Sequence, residues 1–298
     1  MITMRIKGGL GNQLFQYAVG YALAKRLNQP LQLDISYFPT QSLRGFKLDK
    51  LAIPELKVTD QTPMRKDIQL YTNKYFHHLL VSLKGKRVIR CGKENVYLFE
   101  HGSTYELTEE VFSVIAPIVY VDGFFQCEKY FADIAKALQA QYTPSYEPDK
   151  EYLSALDRIK RRVSVAVHVR RGDFLNIDVK RNTIAYVLDE RYYKNALDYI
   201  RKKVSDPVFY WFSDDIEWVK RVFGVSDDFQ FVSLHTKNAD IDEMMLMKNC
   251  NHIITANSTF SWWAAWLNDS PYSIRIVPAK QYGNIKMIPE DWIRIAVE

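Results

Sequence analysis

The run VHVRRGDF, residues 167–174, sets a histidine, two adjacent arginines and an aspartate around one glycine, directly after an alternation of Val163, Val165, Val167 and Val169. If those valines form the buried face of a strand, His168 and Arg170 share the opposite face near its C-terminal end. A guanidinium fork takes two phosphate oxygens together, so Arg170 or Arg171 suits a pyrophosphate group. The bland alternative is a surface turn in which Arg171 pairs with Asp173. It accounts for those two residues better than for His168 and Arg170.

Three further stretches carry polar groups at strand-to-helix junctions. GGLGNQ, residues 8–13, brings Gly9, Gly11, Asn12 and Gln13 to the start of a helix, where glycines let backbone N–H groups approach a phosphate or a sugar. With Asp34, Gly9 and Gly11 also mimic a dinucleotide-binding fingerprint, although Leu14 stands where the third glycine belongs. WFSDD, residues 211–215, offers Ser213, Asp214 and Asp215 to ribose hydroxyls or a guanine edge; Asp214 with Glu217 reads equally well as a helix cap. TANSTFSWWAAWL, residues 255–267, presents Asn257, Ser258, Thr259 and Phe260 at a helix start, an anion site that needs no metal, with ordinary capping as the plain alternative. At least two of Trp262, Trp263 and Trp266 are expected in the core. Asp240 and Asp242 formally match a metal-holding D-x-D, but Asp240 with Glu243 ahead of an apolar helix reads more strongly as a cap.

These junctions require alternating strands and helices. ITMRI (2–6), a turn at 8–11, a helix over 12–27 and LQLDI (31–35) form a β-α-β unit and predict a parallel sheet. Residues 36–110 show only weak periodicity and receive no assignment. The two prolines of TPSYEPDK (143–150) mark a linker between an N-terminal α/β domain over 1–145 and a C-terminal one over 150–298. In the second, strands at 163–169, 208–212, 229–234, 252–256 and 273–277 alternate with helices near 191–203, 216–223, 241–248 and 259–267, a doubly wound pattern.

Composition narrows the class. The 298 residues are 47% hydrophobic and 25% charged, which fits two globular domains. No apolar run reaches the roughly 20 residues of a membrane span, and the N-terminus lacks a signal-peptide pattern, so the expected location is the cytoplasm. Cys91, Cys127 and Cys250 show no paired spacing and the histidines no ligand spacing, so free thiols and no metal site are expected. The net charge of +5 gathers at 84–90, 158–162 and 201–203. These clusters read as solvated helix ends, and no groove-reading motif points to nucleic acid.

Taken together, GGLGNQLFQYA (8–18), DISYF (34–38), DGFFQCEKYF (122–131), HVRRGDF (168–174), FSDD (212–215) and ANSTFSWWAAW (256–266) resemble the bacterial α-1,2-fucosyltransferases of glycosyltransferase family eleven, in order and over nearly the whole chain. The resemblance implies a GT-B-like α/β fold, two Rossmann-type domains facing a cleft, and inverting transfer of L-fucose from GDP-L-fucose to the 2-hydroxyl of a terminal galactose. It implies no cofactor beyond that co-substrate and no metal. Its implied acceptor is a β-galactoside, as in O-antigen synthesis on a lipid carrier, placing the enzyme in the cytoplasm or at the inner face of the membrane by peripheral contact. By the same resemblance Arg170 meets the donor pyrophosphate, and Asn12 lies near donor fucose or acceptor. Asp173 is the candidate base for the acceptor hydroxyl, with His168 beside it. Two rival classes are a nucleotide-dependent oxidoreductase, from the glycine turn and Asp34, and a non-catalytic glycan- or lipid-binding protein, from the basic clusters and aromatic content.

Overall fold

The computed structural model describes residues 1–40, 45–60, 88–91, 95–100, 114–172, 175, 186–279 and 287–297. The chain divides into two compact units, Met1–Ser145 and Tyr146–Glu298. Among the described residues no helix is long and apolar enough to cross a membrane.

In the first unit, strand β1 (Ile2–Arg5) runs through a tight turn into α1 (Leu10–Leu27) and returns as β2 (Leu31–Asp34). The helix starts two residues before the expected Asn12, because Gly9 already serves as its N-cap. It is buried on almost every side, so packing rather than an amphipathic stripe holds it. Strands β3 (Val58–Thr59), β4 (Val88–Cys91), β5 (Asn95–Phe99) and β6 (Ile118–Asp122) complete a sheet ordered β3-β2-β1-β6-β5-β4, parallel except between β4 and β5. The short helix α2 (Ala135–Gln141) closes the unit.

The central strand β6 ends on buried Asp122, which takes Lys7 Nζ at 2.6 Å and Arg5 Nη1 at 3.0 Å. Burial alone would raise its carboxyl pKa, yet Lys7 and then Arg5 hold it below the usual carboxylate range. A depressed pKa contributes stability that is complete above the unfolded value, roughly 4, and is lost as pH falls through the folded value. Asp122→Asn is expected to cost roughly 3 kcal/mol by leaving two half-buried cations without their counter-ion. Urea titration at neutral pH checks this, and an unchanged midpoint would refute it.

The second unit opens with α3 (Lys150–Lys160), capped by Asp149, whose carboxylate accepts the Glu151 N–H. There follow β7 (Val163–Val169), α4 (Glu190–Lys203), β8 (Pro207–Ser213), α5 (Ile216–Phe223) and β9 (Phe229–Val232). Then come α6 (Ala239–Lys248), β10 (His252–Ile254), α7 (Thr259–Leu267), β11 (Arg275–Pro278) and β12 (Ile293–Ile295). All six strands are parallel in the order β12-β11-β10-β7-β8-β9. In chain order that is the doubly wound 3-2-1-4-5-6 arrangement, with its switch point between β7 and β10. Val165, Val167 and Val169 enter the core as expected, but Ser164, Ala166 and His168 are buried too, since a parallel sheet is covered on both faces. Val163, expected inside, stands 40% exposed at the strand's first position.

Cys127 and Cys250 are free thiols and buried. Trp262 and Trp263 are fully buried, with Trp262 Nε1 donating to the Met287 carbonyl at 3.0 Å; Trp266 is half-buried. Two Rossmann-type units in one chain are the components of a GT-B-like architecture.

Candidate functional site

Strand β7 delivers its polar end to the switch point, where the neighbouring β8 ends alongside it in register, Val169 opposite Ser213. Arg170 Nη1 lies 2.6 Å from Asp214 Oδ2. The Arg171 N–H donates to Asp214 Oδ1 at 2.9 Å. A Cβ on Gly172 would stand 2.6 Å from Asp214 Oδ2, so the carboxylate packs where only glycine leaves room. One aspartate thus holds Arg170 and Arg171 and fills the space beside Gly172.

Asp215 does a second job. It caps α5 by accepting the Trp218 N–H at 3.1 Å and also accepts Arg171 Nε at 3.3 Å, while the Arg171 guanidinium lies 3.9 Å from the Trp218 ring centre. The expected cap on Asp214 and Glu217 is therefore displaced by one residue: Asp214 is engaged by the arginine turn, and Glu217 pairs with Lys220. Ser213 Oγ accepts the Asp215 N–H at 2.9 Å, tightening the junction. Asp173 and Phe174 lie outside the described residues.

Across the switch point, Ser258 caps α7, its Oγ accepting the Phe260 N–H at 3.3 Å. Asn257, Ser258 and Thr259 are all buried. The Phe260 ring sits 5.4 Å from the His168 ring, which joins the end of β7 to the start of α7. The structure thus gathers His168, Arg170, Arg171, Ser213, Asp214, Asp215, Asn257, Ser258, Thr259 and Phe260 at three strand ends and two helix starts of the second unit.

The profile of Glycosyl transferase family 11 matches residues 1–295. The chain belongs to glycosyl transferase family 11. It is 34% identical over 306 residues to an alpha-1,2-colitosyltransferase of Escherichia coli, covering 99% of each chain. It is 29% identical to the O-antigen biosynthesis glycosyltransferase WbnK of Escherichia coli, over 97% of this chain and 99% of that one. It is also 26% identical to the galactoside 2-alpha-L-fucosyltransferase Sec1 of Mus musculus, over all of this chain and 74% of that one.

In this family 11 chain His168 is 5% exposed, and its Nδ1 has no hydrogen-bond partner among the described residues. Burial, with the Arg170 charge behind it, lowers its pKa to about 3, so the imidazole is neutral at physiological pH. Acidification then costs stability, because the unfolded imidazole takes a proton near 6.5 and the folded one only near 3.

The glycine turn belongs to the first unit. Gly8, rather than Gly9 or Gly11, carries the left-handed backbone, at φ +81°; Gly9 is the cap, and Gly11 lies inside α1. Asn12 Oδ1 accepts Gln126 Nε2 at 2.8 Å. Gln13 is fully buried and ties down a neighbouring segment, donating to the Gly8 and Gly45 carbonyls and accepting the Lys47 N–H. Asp34 is also fully buried, accepting the Tyr120 hydroxyl at 2.6 Å and the Ser36 N–H at 2.9 Å. That is no position for reading a ribose, and it removes Asp34, one of the two features on which the oxidoreductase rival rests.

The D-x-D is likewise spent on structure. Asp242 is buried and accepts the hydroxyls of Tyr146 and Thr236. The expected cap at Asp240 is corrected: α6 begins at Ala239 after Asn238, which puts Asp240 inside the first turn. No group of three potential metal ligands occurs among the described residues. Glu243 accepts the Leu234 N–H, and burial chiefly pushes its pKa up to about 7. Sequence reasoning assigned no role to Trp218 or Gln126. Gln126 falls inside the DGFFQCEKYF run, the one signal that could have drawn attention to it.

Proposed function

We propose that this chain transfers L-fucose, with inversion, from GDP-L-fucose to the 2-hydroxyl of a terminal galactose in a β-galactoside. The reading rests above all on the clamped Arg170 turn beside the Ser258-capped helix start, at the switch point of a doubly wound sheet, in a family 11 chain. As bonding to the anomeric carbon loosens, negative charge gathers on departing GDP. A preoriented guanidinium and helix N–H dipoles stabilise that charge more than they stabilise the ground state. In this scheme Arg170 and the α7 start at Ser258 and Thr259 face the pyrophosphate, while Asp214 and Asp215 fix the arginines. GDP leaves unprotonated, so one base for the acceptor hydroxyl suffices, and Asp173 is assigned that role. The second unit then holds the donor, and the first, through Gly9, Gly11 and Asn12, serves the acceptor side.

The names of the similar proteins support a glycosyl donor and an α-1,2 linkage, and that of WbnK supports a role in O-antigen biosynthesis. The test offers GDP-L-fucose with a panel of galactosides and determines the linkage of the product. Absence of any fucosylated product would refute the reading. A second donor is favoured by the 34% identity to a colitosyltransferase. Colitose lacks the 3-hydroxyl of fucose, so competition between the two GDP-sugars decides between them.

Turnover is expected to survive excess EDTA, since arginine and helix dipoles supply the charge that a metal would otherwise provide. Loss on chelation with recovery in manganese or magnesium would overturn metal independence and return Asp240 and Asp242 to candidacy.

A further inference from the structure

The other end of the second sheet, where its strands begin, carries a feature that the proposed transfer does not use. Because β7 to β11 are parallel, their first residues share one edge. The chain brings Lys160, Arg161 and Arg162 to the start of β7, and Lys202 and Lys203 to the start of β8. These two clusters, separate in sequence, are neighbours in space. The Tyr210 hydroxyl donates to the Arg158 carbonyl at 2.9 Å, and Arg162 reaches Asp206 at 3.2 Å.

Three apolar side chains stand out from the same edge. Val163 is the first residue of β7, Val225 is 79% exposed in the turn before β9, and Tyr272 is 86% exposed in the turn before β11. In the order β11-β10-β7-β8-β9 they stand at the beginnings of alternate strands, Val163 on β7 itself and the other two in the turns that lead into β9 and β11. Lys202 and Lys203 occupy the β8 gap, and Lys248 precedes β10 in the other. Lys160, Lys202 and Lys203 have no ion pair among the described residues, whereas Asp157, Asp206 and Asp228 are paired with Arg161, Arg162 and Arg201. Asp227 and Asp269 have no such pair, and Glu290 and Asp291 precede β12 at the same end, Asp291 lying 3.7 Å from Arg275.

We infer that this edge of the second unit docks on an anionic phospholipid surface. Lysines there face lipid phosphates, and Tyr272 with Val225 and Val163 enters the head-group layer, where an amphipathic ring is at home. A polyanion such as nucleic acid would use the lysines but give no reason for the apolar row. The strand ends bearing Arg170 then lie about 20 Å from the lipid, the length of seven strand residues.

Co-sedimentation with vesicles tests the inference. The protein is expected to pellet with phosphatidylcholine vesicles containing phosphatidylglycerol, not with phosphatidylcholine alone, and to be released by added salt. Lys202→Gln with Lys203→Gln should weaken binding roughly 25-fold, about fivefold for each lysine. Tyr272→Ser should weaken it several-fold, with circular dichroism unchanged. Equal pelleting with neutral vesicles, or none with anionic ones, would overturn the inference. So would duplex oligonucleotide binding of equal strength combined with indifference to Tyr272→Ser, which would identify a surface for polyanions in general.

Discussion

Arg170→Lys is expected to lower turnover by roughly 100-fold or more, about 2.7 kcal/mol of transition-state stabilisation, in a protein whose fold is unchanged. Lysine keeps the charge but not the planar fork, and geometry here matters more than charge. Asp214 takes Nη1 at 2.6 Å from one side, which fixes the plane in which the guanidinium presents its donors at the switch point. An ammonium would follow Asp214 as a point charge and could not hold that carboxylate and two phosphate oxygens in one plane. Arg170→Ala should be at least as damaging. Arg171→Lys should do much less, because Arg171 is spent on Asp215 and the Trp218 ring, a stacked contact contributing about 1 kcal/mol. Steady-state kinetics on the three variants, with circular dichroism beside them, settle the ranking. Near-normal turnover by folded Arg170→Lys would end the pyrophosphate assignment.

Much of this arrangement was legible in the sequence, for identifiable physical reasons. The second unit announces itself because parallel strands buried on both faces read as apolar runs, and each is followed by a capped helix; the helices at 216–223 and 259–267 were bounded to the residue. Local pattern failed where long-range pairing decides. Strand β5 lies inside the unassigned stretch 36–110 and β6 just after it, yet they pair with each other, and β6 pairs with β1 and supplies Asp122, the counter-ion of Lys7 and Arg5. Helix α3 was missed because the prolines just before it read as linker, although Asp149 is an ordinary cap signal. The site shows the same division. His168 is on the strand as parity expects and Arg170 directly follows the strand's last residue, whereas the partner of Arg170 lies 44 residues away, just past the end of β8, whose register no local rule supplies. The cap at 214–215 was misplaced for that reason: both aspartates can cap, and a tertiary ion pair selected between them.

That tertiary choice makes Gly172 the position where the smallest chemical change should have a large effect. Gly172→Ala adds one methyl group, at 2.6 Å from Asp214 Oδ2 and 3.1 Å from its Cγ. Backbone strain is not the cause, since the left-handed conformation is recorded only for Gly8 and Gly224 among the described glycines. The collision must move either the turn or the carboxylate. The turn follows a strand held in register with β8 to its last residue, so the carboxylate is the part that yields. In yielding it releases Arg170 Nη1 and the Arg171 N–H together. Losing one charge-assisted hydrogen bond costs roughly 1.5–3 kcal/mol, so turnover should fall about 10- to 100-fold, with overall stability lowered much less. A double-mutant cycle isolates the cause. Asp214→Ser shortens the side chain and removes the obstacle, so Gly172→Ala should add almost nothing in that background, a strongly non-additive result. Were the two losses simply to multiply, the methyl group would be acting somewhere other than on Asp214, and the clamp would not be what orients Arg170.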